Sequence, residues 1–270
     1  MHSLTARRYR RLEESPAAVL DQLPRGNPFY IHARNWMAEM AAIVPVTGCF
    51  PTDDGWLSFP EQGLGLHLHS ILHLHSVAVD HPSRPSIALE IATRGEPRSV
   101  SVAAIPLFSD ITSLEQSLSS HPSLDLTSHE YDAWRHTHLI RPTACSCCAD
   151  AAKNRRDNAA DSPLSRILNE TIESKRTLHC HLSSDSFRFS RCFTPDELNV
   201  RKGQINLTGD DHTALLEIDP GLCHSLTFNR KLIDGEPTTL LHLANSLGKT
   251  ELVITTTGFD VCSKWARLCD

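Results

Sequence analysis

The sequence predicts an α+β protein of two tandem similar lobes, each a largely antiparallel β-sheet with flanking helices. Short runs of alternating apolar residues, separated by Gly, Pro, Asp and Ser, recur along the 270-residue chain and are typical of antiparallel strands. The order of these runs in the second half repeats that of the first, at a shift of roughly 150 positions. We therefore place the first lobe at residues 1–142, a connector at 143–161 and the second lobe at 162–270.

The first lobe is predicted to open with a helix and to continue as a meander of strands. Helical spacing over Thr5–Leu23 is interrupted at Pro16, and the prolines at 24 and 28 end it. The predicted strands that follow are Phe29–Ala33, Met40–Val46, Trp56–Phe59, Leu64–His69, Leu72–Val79, Ile87–Ala92 and Val100–Ile105. Asp110 is a plausible cap for a helix to Leu118, and a second helix is predicted over Ser128–His138.

The second lobe follows a small, polar connector and repeats this order. Ser162 and Pro163 form the cap and first position of a predicted helix to Ile172. The predicted strands are Leu178–Leu182, Phe187–Phe193, Ile205–Leu207, Ala214–Ile218, Ser225–Phe228, Thr239–Ala244 and Leu252–Thr257. Asp260 begins a closing helix that contains Trp265.

Composition narrows the function classes. A net charge of −6 gives no general attraction to nucleic acid. Neither the segment Met1–Leu12 nor any later run has the apolar length of a signal peptide or membrane span, so we expect no membrane insertion and a cytoplasmic location. The nine cysteines then indicate thiols or metal ligands. The motifs of the common hydrolases, kinases and dehydrogenases are absent from the sequence.

Three stretches of the sequence form patterns of strand and turn residues that occur together in a known family. The first is Leu20–Gly26 followed by Arg34-Asn35 and Glu39. The others are Gly55-Trp56-Leu57 with Leu66-His67-Leu68 and Val77-Ala78-Val79, and Asp234-Gly235 before Thr238–Leu241 with Gly248 and Gly258. Together they resemble bacterial cytoplasmic haem-utilisation proteins of the HemS/HmuS type, whose half-length relatives are the ChuX/HutX proteins. Because the patterns consist of strand and turn residues, the resemblance bears more on the fold than on the function.

The resemblance implies stacked split-sheet lobes and a haem held near the lobe junction. It also implies an iron-ligating histidine, for which the nearest match is the stretch Tyr131–His138 and the candidates are His138 and His136. Arg135 and Arg141 flank these histidines and are suited to pairing with haem propionates, although surface arginine is the commoner explanation. Arg188 and Arg191 lie in an aromatic strand, Phe187–Phe193, which fits a porphyrin contact or an ordinary core strand.

Two further motifs suggest metal binding. The run Leu66–Ser76 alternates leucine with His67, His69, His73 and His75, so a turn at Ser70-Ile71 would bring the four imidazoles together for Zn²⁺, Cu²⁺ or Ni²⁺. The alternatives are haem contact and a half-buried strand pair with incidental histidines. Three interpretations stay open for Cys145, Cys147 and Cys148: half of a metal or haem site, a redox switch, or ordinary connector residues.

The leading interpretation is therefore an intracellular haem-binding protein for haem trafficking and iron utilisation, with haem degradation as a secondary alternative. Its partners would be haem itself and a haem transporter or haem oxygenase. The second interpretation is a transition-metal-binding or thiol redox-sensing protein. The third is a non-catalytic β-rich interaction module whose histidines are incidental.

Overall fold

The computed structural model describes residues 6–81, 84–94, 99–104, 106, 109–137, 145–209 and 212–269, with side chains except at 135–137. Contacts divide the chain into two compact units. The first unit comprises Met1–Arg34, Ala41–Arg141 and Ser184–Phe189. The second comprises Asn35–Met40, Pro142–Ser183 and Ser190–Asp270.

The elements of the first half alternate short strands with three helices. They are β1 (Ala6–Leu12), α1 (Pro16–Asp21), β2 (Pro28–Arg34), β3 (Ala38–Pro45), β4 (Phe50–Pro51), β5 (Trp56–Phe59), β6 (Leu64–His67), β7 (Ile71–Asp80), β8 (Ser86–Thr93), β9 (Val100–Ala104), α2 (Ile111–Ser119), β10 (Ser123–Leu126) and α3 (Ser128–Thr137).

The second half begins with two helices. Its elements are α4 (Ser146–Asp157), α5 (Pro163–Glu173), β11 (Leu178–Ser183), β12 (Phe187–Phe193), β13 (Pro195–Arg201), β14 (Gln204–Gly209), β15 (Ala214–Ile218), β16 (Ser225–Ile233), β17 (Glu236–Ala244), β18 (Thr250–Thr257) and α6 (Asp260–Arg267).

The repeated order of elements confirms the two-lobed α+β fold. In the described residues, each half contains a series of one helix, eight strands and one helix: α1, β2 to β9 and α2 in the first, and α5, β11 to β18 and α6 in the second. The elements β1, β10, α3 and α4 lie outside these two series. The strand pairing also corresponds, because β7, β8 and β9 follow one another in one sheet as β16, β17 and β18 do in the other. The two halves therefore share one topology despite their low sequence similarity.

The first unit contains two groups of antiparallel strands. One runs in the order β10, β1, β7, β8, β9, β2 and the end of β3, and the other joins β4, β5 and β6 to Phe187–Phe189 of β12. Alternate residues of β2, β8 and β9 are buried, and Leu114 and Leu118 of α2 are fully buried as well. Asp110 caps α2 by accepting a hydrogen bond from the Ser113 amide, as the sequence predicts.

The second unit has the corresponding arrangement. Its longer group is β16, β17, β18, β11 and the end of β12, and its shorter group is the meander β13, β14 and β15 with the start of β3. Ser162 caps α5 as predicted, and Leu164, Ile167 and Leu168 of that helix are buried. Strands β3 and β12 are each divided between the two units. The boundary between the compact units therefore does not fall at one point of the chain, such as the connector.

Two local predictions are wrong. The segment Ala6–Leu12 is a strand, because it pairs along its whole length with β7, and only Pro16–Asp21 is helical. The connector contains helix α4, since Cys145 caps a run of twelve residues without Gly or Pro. Among the described residues, none of the helices is long and apolar enough to span a membrane.

Candidate functional site

Strand β7 places two of the predicted histidines on the face of the first-unit sheet that helix α3 covers. His75 lies directly opposite Arg11 of β1 and Glu90 of β8, and opposed residues of antiparallel strands share a face. His73 is two residues away on the same strand and therefore points to the same side. The face thus presents two imidazoles, a guanidinium and a carboxylate.

Helix α3 packs on this face through two aromatic residues. Tyr131 and Trp134 are three positions apart and so lie on one side of the helix. The Trp134 ring centroid lies 3.6 Å from that of His73 and 5.3 Å from that of His75, with the rings edge to face. Tyr131 stacks on Tyr9 at 4.3 Å between centroids. We call His73, His75, Tyr131, Trp134 and Tyr9 the α3 cluster.

Two polar contacts hold α3 in place. The Tyr131 hydroxyl donates a hydrogen bond to Glu90 of β8, although Tyr131 is only 3% exposed. At the start of α3, the Glu130 amide donates to the Thr127 hydroxyl, and the Glu130 carboxylate accepts from the Thr127 amide at 2.8 Å. This reciprocal pair is a capping box, and the pKa of Glu130 is lowered because its carboxylate accepts hydrogen bonds from the Thr127 amide and then from the Thr127 hydroxyl. The Thr-x-x-Glu spacing of Thr127 and Glu130 is a sequence signal from which this helix start could have been predicted.

A cavity of about 330 Å³ opens beside the α3 cluster. His73 and Arg11 line it together with Glu13 and Glu14. Glu13 pairs with Arg11 at 3.6 Å, and Glu14 accepts from the ring of His121 at 2.5 Å. The cavity is therefore lined by an imidazole, which contacts Trp134, and by a guanidinium and two carboxylates that have ion-pair partners.

His75 is a neutral, buried imidazole. Burial, and then the positive charge of Arg11, lower the pKa of His75 to about 4. His75 is 2% exposed, and its Nε2 atom has no hydrogen-bond partner among the described residues. This ring nitrogen is available as a donor or acceptor, but the rings of Tyr131 and Trp134 cover it.

The depressed pKa of His75 predicts that the protein loses stability in mild acid. The unfolded chain protonates His75 near pH 6.5 and the folded chain only near pH 4, so the free energy of unfolding falls as the pH drops through this window. The expected loss attributable to His75 is about 2 kcal/mol at pH 5. Urea unfolding of the wild type and a His75→Phe variant at pH 7.5 and 5.0 measures it. The difference between the two proteins should change with pH, and an unchanged difference would contradict the assignment.

Two of the four residues that the resemblance suggests near the iron, Arg135 and His136, belong to α3. Helix α3 continues to Thr137, so its last turn carries Arg135 and His136, whose side chains lie outside the described part of the structure. His138 and Arg141 also lie outside the described residues. The role of all four residues stays a prediction. The contacts of Tyr131 and Trp134 hold α3 on the sheet just before these residues in the sequence.

The four histidines of the Leu66–Ser76 run do not form the hairpin that would bring them together. His67 ends β6, which pairs with β5 and with Phe187–Phe189, whereas His73 and His75 belong to β7, which pairs with β1 and β8. A helical turn over Leu68–Ser70 redirects the chain between the two sheets, so alternation does not continue through it. His67 and His69 lie together, with ring centroids 5.8 Å apart, and His67 also contacts Trp56.

The arginines of β12 have different surroundings. Arg188 lies over the Trp56 ring at 4.3 Å in a cation–π contact and lines a cavity of about 250 Å³ with Asp54. Phe187, Phe189 and Phe193 are buried in the core, so the aromatic face of β12 is packing surface, and Arg191 is half-buried on the same strand. These positions favour the core-strand interpretation of the Phe187–Phe193 run.

Three thiols come together in the second unit. The sulfur atoms of Cys145, Cys147 and Cys148 all lie within 4.8 Å of one another. Within the described part of the chain, no other group of three or more His, Cys, Asp or Glu side chains lies close enough to hold one metal ion. The pKa of Cys145 is lowered to about 7, because Cys147 and then the Cys148 amide hydrogen-bond to its sulfur. The pKa of Cys148 is raised to about 11 by its hydrogen bond with Cys145 and then by the charge of Cys145. Negative charge therefore resides first on Cys145.

Comparison with solved structures confirms the fold. The chain is similar to ChuS, a heme-degrading enzyme from Escherichia coli O157:H7, with a TM-score of 0.71 and 12% identity over 96% of this chain and 86% of ChuS. It is similar to holo-PhuS, a heme-binding protein from Pseudomonas aeruginosa, with a TM-score of 0.69 and 12% identity over 97% and 86%. Neither a protein-family model nor a curated protein sequence matches the chain. The resemblance seen in the sequence is thus confirmed as one of fold.

Proposed function

We propose that this chain, which has the fold of ChuS and PhuS, binds haem and carries it within the cell. The observation on which the proposal rests is the extent of the likeness, which covers 96% of this chain at a TM-score of 0.71 and therefore includes both halves. One of these neighbours degrades haem and the other binds it. Haem is accordingly the ligand that this fold most directly suggests.

The described residues of the first unit fit the chemistry of haem. Imidazole is a common axial ligand of haem iron, and a guanidinium pairs well with a propionate. His73 and Arg11 line one cavity of about 330 Å³, a volume at the lower end of the usual range of small-molecule and cofactor sites. Their position beside α3 supports that helix as the wall of the haem site.

We assign the iron ligand to the α3 segment or to the sheet face that α3 covers: His138 and His136 are the candidates from the resemblance, and His73 of β7 is the candidate from the cavity. Arg135 and Arg141 remain proposed partners for the propionates, together with Arg11. Because Arg188 is stacked on Trp56, it is less suited to that role than Arg11. Bound haem would supply the redox chemistry of its iron, and the protein's part is to orient it and control its exposure to water.

A haem titration of the purified protein and of single variants tests this assignment. The wild type should show a saturable shift of the Soret band, and one of His138→Ala, His136→Ala and His73→Ala should lose it. Loss of an outer-shell partner of a metal ligand typically costs about 10- to 100-fold in affinity, so loss of the axial ligand itself is expected to weaken binding by at least about 100-fold. His224→Ala, an exposed histidine of the second unit, is the matched control. If all three variants bind like the control, α3 does not provide the ligand.

Carriage and degradation make different predictions for bound haem. Carriage requires only coordination and salt links, so the Soret band should persist when a reductant such as ascorbate is added in air. Delivery to a haem oxygenase or receipt from a haem transporter would then complete its use. Loss of the Soret band with release of iron, at a rate above that of haem bound to serum albumin, would instead favour the degrading enzyme.

A further inference from the structure

Cys145, Cys147 and Cys148 at the start of α4 form a cluster of thiols that is separate in the chain from the residues of the proposed haem site. Their sulfur atoms all lie within 4.8 Å of one another. Cys145 and Cys148 are three positions apart, and Cys147 lies between them, on the first turn of a twelve-residue helix. The cluster lies in the second unit, whereas the α3 cluster lies in the first.

Local structure explains why the three sulfurs converge. Cys145 is the N-cap of α4, with extended backbone angles of φ −65° and ψ 162°. Its sulfur turns back and accepts a hydrogen bond from the Cys148 amide at 3.4 Å. Capping thus holds the Cys145 sulfur over the first turn, where the side chains of Cys147 and Cys148 begin.

The position also favours negative charge. The first amides of an α-helix lack partners within the helix, and the helix dipole places partial positive charge at this end. Cys145 and Cys147 are exposed and Cys148 is partly exposed, so a metal ion reaches them without opening the fold. The cluster is therefore accessible, and the end of the helix supports the negative charge that its sulfurs take on when they bind a metal ion.

We propose that Cys145, Cys147 and Cys148 together bind one soft thiophilic metal ion, with Cu(I) preferred over Zn(II). Soft thiolate ligands select Cu(I) and Zn(II) among the common biological metals. Structural Zn(II) sites take four protein ligands, whereas Cu(I) accepts three thiolates in a plane. In the described residues, the group contains three donors, which matches the smaller coordination number.

The other thiols of the chain differ from this cluster. Cys49, Cys180 and Cys223 are buried, and burial is the first cause that raises the pKa of each. Cys192 is exposed and contacts the ring of His179 at 3.3 Å, while Cys262 and Cys269 are partly exposed. These last three cysteines provide a control set equal in number to the proposed ligands.

Competition for Cu(I) tests the proposal. The fully reduced protein is titrated without oxygen against the Cu(I) chelator bicinchoninate, as wild type, as Cys145→Ser/Cys147→Ser/Cys148→Ser, and as Cys192→Ser/Cys262→Ser/Cys269→Ser. The wild type and the control should each take one equivalent of Cu(I) from the chelator, with a thiolate–Cu(I) absorption band in the near ultraviolet. The cluster variant should bind at least about 100-fold more weakly. Serine is a good N-cap, so α4 should remain folded in that variant.

Two results would overturn the proposal. One is equal affinity of the wild type and the cluster variant for Cu(I). The other is a higher affinity of the wild-type protein for Zn(II) than for Cu(I). The cluster variant should still give the wild-type haem spectrum. If none of the three proteins binds haem, the proposed function fails, while the Cu(I) titration still tests the metal site by itself. Loss of the Soret shift in the cluster variant alone would make the thiols part of the haem site and contradict a separate metal site.

Discussion

Replacing Tyr131 with alanine is expected to lower the free energy of unfolding of the first unit by about 4 kcal/mol, because a buried aromatic side chain is lost. Tyr131 stacks on Tyr9, contacts His75 edge to face and donates to Glu90. The variant removes all three contacts and leaves a cavity under α3. Urea unfolding followed by circular dichroism measures the change, and the haem titration should show weaker binding because α3 is no longer held.

Tyr131→Phe is the matched control. It keeps the ring contacts with Tyr9 and His75 and removes only the hydrogen bond to Glu90. A loss of about 1.5–3 kcal/mol is expected for a hydrogen bond to a charged group. A loss below 1 kcal/mol for Tyr131→Ala would mean that the α3 cluster does not hold the helix on the sheet.

Replacing Asn35 with alanine is expected to destabilise the second unit by about 3 kcal/mol, because buried backbone groups lose their partners. Asn35 is 2% exposed, and its amide nitrogen donates to the carbonyl oxygens of Ser183 and Glu251, both at 3.0 Å. Its side-chain oxygen accepts from the amides of Met37 at 2.9 Å and Ala38 at 2.8 Å. The fall in the midpoint of thermal unfolding should be roughly 8 °C.

Asn206→Ala provides the comparison for this variant. The Asn206 side chain is half-buried and makes one hydrogen bond, to the Gln204 carbonyl at 3.3 Å. Its loss should change the free energy of unfolding by no more than about 0.5 kcal/mol, as for other surface positions. If both variants are equally stable, water replaces the Asn35 side chain and the network does not support the fold.

The Asn35 network also explains why the family resemblance indicated the fold more clearly than the function. Arg34-Asn35 belongs to the opening motif through which the sequence resembles haem-utilisation proteins. In the structure, Asn35 joins a turn to the ends of β11 and β18. Its role is to satisfy backbone groups, so the motif identifies an architecture without identifying a haem contact.

Three strands with alternating apolar residues were predicted to the residue, because each buries one face, whereas others such as β6 and β14 have bounds that differ from the prediction. Trp56–Phe59, Phe187–Phe193 and Ala214–Ile218 are observed with the predicted bounds. In contrast, β1 and β10 lack a buried apolar face and are strands because of their pairing partners. Partner choice depends on residues distant in the sequence, which alternation within one segment does not contain.

The candidate site was predictable in its parts but not in its grouping. The histidines of β7 and the aromatic residues of α3 were each noticed in the sequence, but their contact depends on how α3 packs on the sheet. The hairpin interpretation failed because a helical turn at Leu68–Ser70 separates the two histidine pairs. The three cysteines converge over one helical turn, so their proximity follows from local geometry once Cys145 is recognised as a cap.

Titration of the wild-type protein with haem, followed by visible absorption, tests the central claim most directly. The proposal predicts a Soret shift that saturates at one haem per chain and persists after gel filtration. A spectrum that remains that of free haem at every ratio, or a shift that rises without saturation, would contradict haem binding and limit the likeness to ChuS and PhuS to the fold.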